Sequence, residues 1–266
     1  MIQLYKKYHI AYWCIGIALI VCMIISMFLL WNKVWCAPLL VFFPTIFLVL
    51  VNAAIFTNLT AKKINSEIAP LLNNCEANKF LSEIHALFKD RAKNRVIISI
   101  YNSYLATGYA VINDYDSVYD CCQKITTKSY QVAKVLSMMD YYASTCQFEQ
   151  AQNEIENLRK MLEKMRNTKL KERCEISIMN VEYAIRIKHG NYEGAEEHYK
   201  KMMETVKPLM PLGKASYSYA LGRLLILKGE PERARDYLQT AYDLGGDTKY
   251  KTFAEKYIQE LNGEKE

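Results

Sequence analysis

The chain has 266 residues, 51% of them apolar, and a formal net charge of +6, so it holds enough apolar side chain for one large or two modest cores. Residues 1–57 contain Lys6, Lys7 and Lys33 and no acidic residue or arginine, so they carry +3 and leave +3 for the remainder. A remainder so weakly basic, with Lys and Arg interleaved among Asp and Glu, lacks the one-sided cationic surface that phosphate contacts need, which argues against nucleic acid as a partner.

The first expected elements are two membrane spans. Between Lys7 and Lys33 there are 25 residues without a charge, and between Lys33 and Lys62 there are 28. Their apolar parts, about residues 9–31 and 34–56, are each long enough as helices to cross ~30 Å of hydrocarbon. Pro38 and Pro44 predict a bend in the second. The first run is too long for a signal peptide and ends in Phe28-Leu29-Leu30-Trp31 rather than in a small-residue cleavage site, so it is expected to be retained. Only Asn32 and Lys33 separate the runs, which predicts a hairpin over residues 1–57. Two lysines precede it, Lys62 and Lys63 follow it, and Lys33 alone sits in its turn, so the positive-inside rule places both termini in the cytoplasm of a multi-pass protein of the cell membrane. The compact anchor suits a bacterium. The spans hold no Asp, Glu or Arg, the usual marks of intramembrane chemistry.

Residues 58–91 read as juxtamembrane and capping helices, including one that leads in from Cys75 and runs to Phe88. From there to residue 262 apolar residues recur every three or four positions, as in successive amphipathic helices. The segment is also self-similar. Lys188-His189-Gly190-Asn191-Tyr192-Glu193-Gly194-Ala195 and Lys228-Gly229-Glu230-Pro231-Glu232-Arg233-Ala234 each place a glycine before a polar turn and an alanine five residues on. Thr145-Cys146-Gln147-Phe148-Glu149-Gln150-Ala151 repeats the shape with Cys for Gly. Such a pattern marks a helix that ends on a left-handed residue, followed by a second helix with a small residue at a close crossing. A weaker unit surrounds Asn102–Cys121, with Tyr104–Gly108 read as its helix end. The helix from about Thr248 to Leu261 reads as a polar-faced cap.

This pattern resembles the tetratricopeptide repeat, a helix pair of ~34 residues. The match is best at Ala215–Gly246, where Leu221-Gly222, Gly229, Ala234 and Ala241 stand at the family's Leu-Gly, turn-glycine and packing-alanine positions. Tyr183 and Met139 replace the small residue corresponding to Gly222, and Met202 replaces the second alanine. The resemblance implies an all-α fold, a transmembrane hairpin followed by an α-solenoid over residues 92–262, whose concave groove receives a protein or peptide partner. Counting back from Gly108, Cys146, Gly190 and Gly229 selects Arg95, Asn102, Asp140, Asn180, Tyr219 and Arg223 as groove-facing.

No phosphate-binding glycine loop, metalloprotease helix, nucleophile elbow or kinase signature occurs. The eight cysteines are scattered apart from Cys121–Cys122 and lie far from any paired ligand, so they are expected to be reduced packing residues, with no metal and no cofactor. The function expected is that of a non-catalytic membrane adaptor or scaffold. The alternatives are a membrane sensor that responds to a peptide or ligand, and an enzyme with an unrecognised site.

Overall fold

A computed structural model describes residues 14–18, 20–22, 24–26, 28, 46–47, 64–88, 95–205 and 210–263. The chain divides into two compact units, Met1–Ile68 and Ala69–Glu266. In the first, residues 14–18, 20–22, 24–26, 28 and 46–47 are helical and Ile64–Ile68 forms a π-helical turn. The side chains of Ile15, Ile17, Ile20, Ile24 and Phe28 are exposed. Among the described residues no helix is long and apolar enough to cross a membrane. Most of the two expected spans lies outside the described residues.

The second unit is all-α, and no strand occurs among the described residues. Its helices are α1 (Ala69–Asn73), α2 (Ala77–Phe88), α3 (Arg95–Val111), α4 (Tyr115–Lys124), α5 (Gln131–Ser144), α6 (Phe148–Glu163), α7 (Thr168–Lys188), α8 (Ala195–Thr205), α9 (Pro211–Leu227), α10 (Pro231–Leu244) and α11 (Lys249–Leu261). The longer helices bury stripes at helical spacing, as α6 does with Ala151, Ile155, Leu158 and Leu162 while its opposite face carries the charges; α1 and α11 bury only Leu72 and Ala254.

One turn recurs through the unit. Cys75, Asn113, Cys146, Gly190 and Gly229 all take left-handed φ angles between 61° and 78°. At each, two backbone bonds close the helix end in the same way. The residue after the turn donates to the carbonyl five back (Glu76 to Leu71, Asp114 to Tyr109, Gln147 to Tyr142, Asn191 to Arg186, Glu230 to Leu225), and the turn residue donates to the carbonyl three back. This double bond satisfies carbonyls that the helix end leaves open. Five residues after each turn stands a buried side chain: Phe80, Val118, Ala151, Ala195 and Ala234. The sequence marks Cys75 only as the lead-in to α2 and offers Gly108 as the later helix end, so the turn at Asn113 escapes it. Gly108, taken there as a helix end, lies inside α3, where an added Cβ would stand 2.6 Å from Leu81 Cδ2 of α2. The true end is five residues later, at Asn113.

Two apolar clusters share α7. One gathers Val135, Met139, Ile155, Leu158, Cys174 and Ile178 from α5, α6 and α7. The other joins Ile187, at the end of α7, to Tyr199, Leu221, Leu225, Leu238 and Ala254 of α8 to α11. Within the second, α9 and α10 cross closely at Gly222, whose added Cβ would lie 2.7 Å from Leu238 Cγ. The backbone of α7, in contrast, hardly approaches α8 or α9. Tyr183, at the position corresponding to Gly222, fills that space: its ring stacks on His198 at 4.5 Å and faces Tyr199 at 6.3 Å. A bulky ring there holds apart two helices that a glycine would let touch.

Candidate binding surface around Lys249

The C-terminal helix begins against the N-terminal helices of the same unit. Thr248, buried, donates its hydroxyl to Gly245 O at 2.6 Å and so fixes the start of α11. Lys249 then reaches Tyr115 Oη of α4 at 2.6 Å and lies 4.0 Å from Asp140 Oδ2 of α5. Its ammonium also lies over the rings of Tyr115 and Tyr250, at 5.1 and 5.6 Å, contacts that are favourable for a cation on a π face. Burial alone would pull this lysine's pKa down. Asp140, Tyr250 and Tyr115 outweigh that penalty and hold it above its ordinary value.

Around this cation the surface is phenolic. Tyr219 of α9 is flanked by Tyr250, Phe253 and Tyr257 of α11 at ring distances of 5.7 to 6.4 Å. Burial pushes its hydroxyl up to about 12, against the opposing pull of Arg223. The same balance, burial against Arg223, raises Tyr199 to about 12. Arg223 is half-buried beside these two phenols, with no carboxylate partner among the described residues. Nearby, Asn180 of α7 donates its amide to Tyr217 Oη of α9 at 3.0 Å, and its oxygen lies 2.8 Å from His198 Nε2 of α8.

The structure thus places Asp140 4.0 Å from Lys249, Tyr219 within its field and Arg223 beside Tyr219 and Tyr199, while Asn180 is bonded to Tyr217, whose ring faces Tyr199. Arg95 is exposed at the first turn of α3. Asn102 is corrected: it is 4% exposed and donates to Ile98 O at 2.7 Å inside its own helix. Its selection followed from counting back from Gly108, and the five-residue error at that helix end turned the choice to the wrong face of α3. Lys249 and Tyr115 escaped the sequence reading because their contact spans 134 positions, and no local pattern signals such a pairing.

A second polar region lies on α8, where a wide cleft of about 890 Å³ is bordered by Glu196, Lys200 and Lys228. Bonds from Lys228, Lys200 and Arg233 push the Glu196 carboxyl down to about 2. These charges are spent on one another. Among the described residues no group of acidic, Cys and His side chains is placed to hold a metal ion, and the seven described cysteines are free thiols. The chain matches no family model, no curated protein and no solved structure.

Proposed function

We propose that the chain is a membrane-anchored adaptor of the tetratricopeptide-like kind, which holds a protein or peptide partner and does no chemistry on it. Residues 1–57 form the transmembrane hairpin, both termini face the cytoplasm, and α3 to α11 form a solenoid, capped by α1 and α2, whose inner surface is the one around Lys249. The observation that carries the reading is the convergence of Asp140, Tyr219 and Arg223, from α5 and α9, on that surface. Each belongs to the first helix of a pair, the helix that lines the groove in the family. Arg223 has no acidic partner among the described residues, so a peptide presenting a carboxylate would complete it with a charge-assisted bidentate contact. The exposed aliphatic side chains from Ile15 to Phe28 suit a lipid surrounding. Tethering to the membrane raises the local concentration of a partner held there, so weak contacts suffice.

The test is photo-crosslinking in native membranes from a reactive residue installed at Asp140, with identification of the captured protein. Arg223→Ala should reduce capture at least tenfold, the loss of one charge-assisted contact, while shifting stability by no more than about 1 kcal/mol. Capture of the same protein at undiminished yield by the Arg223→Ala variant would overturn the reading.

A further inference from the structure

We infer that the second unit is a hinged and latched array, closed in this structure by Asp247 and able to open between its two apolar clusters without unfolding. The inference rests on the adaptor reading only for what the opened surface serves. The latch is polar and local. Asp247 lies in the turn between α10 and α11, and its backbone amide donates to Cys75 O at 3.0 Å. Its carboxylate accepts from Ala77 N at 2.5 Å and Asn78 N at 2.9 Å, the first amides of α2. Glu76, which precedes α2, is bonded to Lys79 at 3.0 Å. The cap of α2 therefore comes from a residue 170 positions away, where a helix ordinarily draws it from its own Ncap. Gly246 fits against Cys75 so closely that an added Cβ would strike the Cys75 carbonyl. Lys249 with Tyr115, and α1 against α9, complete the closure.

The hinge lies on the other side of the array. Helix α7 is the strut shared by the two clusters, yet its contacts with α8 and α9 run through polar and aromatic tips rather than close backbone packing: Asn180 to Tyr217 and His198, and Tyr183 to His198. The turn that follows contains two left-handed glycines, Gly190 and Gly194. Apart from Ile187 and Tyr183, which reach into the second cluster, such a joint has few interlocked apolar side chains to break. Each cluster keeps the body of its core when the latch parts, the second losing only its α7 contacts at Ile187 and Tyr183, because Asp247, Cys75, Ala77 and Asn78 belong to neither. Opening exposes Tyr115, Asp140 and Lys249, the part of the binding surface that the latch brings together.

The protein carries its own reporters. Cys75 is 1% exposed and sits beneath the latch, where burial and then Asp247 push its thiol up to about 11. Cys174 is buried in the first cluster and Cys146 is exposed. Alkylation of the full chain in membranes with N-ethylmaleimide, read cysteine by cysteine by mass spectrometry, separates local from global opening. Loss of the Asp247 charge itself raises the thiolate fraction of Cys75, which the pH dependence of the rate measures. After correction for that fraction, Asp247→Asn should speed modification of Cys75 roughly tenfold or more, as expected for loss of a charged cap, with Cys174 unchanged and Cys146 fast throughout. In the parent chain, sub-denaturing urea should speed Cys75 with a smaller slope than Cys174, since a local opening exposes less surface. The inference is overturned if Cys75 and Cys174 respond together with one slope, or if Cys75 is indifferent to Asp247→Asn. None of these readouts needs a partner, so such a failure leaves the adaptor reading standing. Loss of crosslinking dependence on Arg223 with a normal Cys75 response has the opposite meaning.

Discussion

His198 shows how one side chain ties the joint between α7, α8 and α9 to pH. Its ring is 6% exposed, with Nε2 2.8 Å from Asn180 Oδ1 and one face on Tyr183. Asn180 gives its amide hydrogens to Tyr217, which leaves its oxygen to accept, so His198 bonds through Nε2–H and is at home as the neutral tautomer. Burial, and then the charge of Lys201, hold its pKa below the ordinary value of 6.5. The unfolded chain therefore takes up a proton first as pH falls. Stability contributed by neutral His198 is present in full above about 6.5 and is lost as pH drops towards the lower folded value. Melting temperature should decline between pH 7.5 and 5.5, and His198→Gln should flatten that decline while keeping a bond to Asn180. An equal decline in parent and variant would show that another group sets the acid sensitivity.

At the scale of helices, the crossing of α9 on α10 is the tightest small-residue contact of the second cluster. With an added Cβ of Gly222 already 2.7 Å from Leu238 Cγ, and Leu221, Leu225 and Leu238 fully buried around it, there is no room for a branched side chain. Gly222→Leu should cost about 2 kcal/mol or more through overpacking, measured by urea unfolding of the full chain in detergent. A loss under 0.5 kcal/mol, in the range of surface substitutions, would mean that the pair slides apart at little cost. The expectations for this region stood on local chemistry, and here local chemistry sufficed. Gly190, Gly229 and Cys146 do take the left-handed turn, and Ala151, Ala195 and Ala234 are all buried at 0% exposure. Nearer the N-terminus the same turn is built on Asn113 and Cys75, residues that tolerate positive φ less readily than glycine, and Gly108, five residues before Asn113, offers itself as the helix end, which puts Asn102 on the wrong face. The site was legible only in part. Asp140, Tyr219 and Arg223 could be reached by counting from turns, whereas Lys249, Tyr115 and Asp247 meet through the return of the chain's end onto its beginning, which depends on the accumulated angle of every pair between them. Tyr183 in place of a glycine alters one of those angles, and sequence periodicity does not record by how much.

For the whole molecule, if residues 1–57 anchor it as proposed, the governing question is which side of the membrane the array occupies, because the proposed partner must be on the same side. Two lysines precede the first apolar run, Lys62 and Lys63 follow the second, and Lys33 stands alone between them. Each lysine near a span end resists translocation, so four against one favours keeping the outer ends in the cytoplasm and sending the short turn across. The apolar side chains of Ile15, Ile17, Ile20, Ile24 and Phe28 are exposed, as residues that face lipid would be, and burying each in hydrocarbon is favourable by roughly 1.5–3 kcal/mol. On the proposed anchoring, that gain would hold residues 1–57 in the bilayer, and the lysines would choose the direction. Reporters fused at Met1 and at Glu266 should therefore both give cytoplasmic signals, and one inserted after Asn32 should give the opposite signal. Replacing Lys62 and Lys63 together by alanine leaves two lysines at the outer ends against one in the turn, so a mixed population should form. Replacing Lys33 removes the only charge that opposes the preferred direction and should leave the signals unchanged. A Glu266 reporter on the outer face in the parent chain would place the surface around Lys249 outside the cell and sink the cytoplasmic adaptor, whatever the array binds.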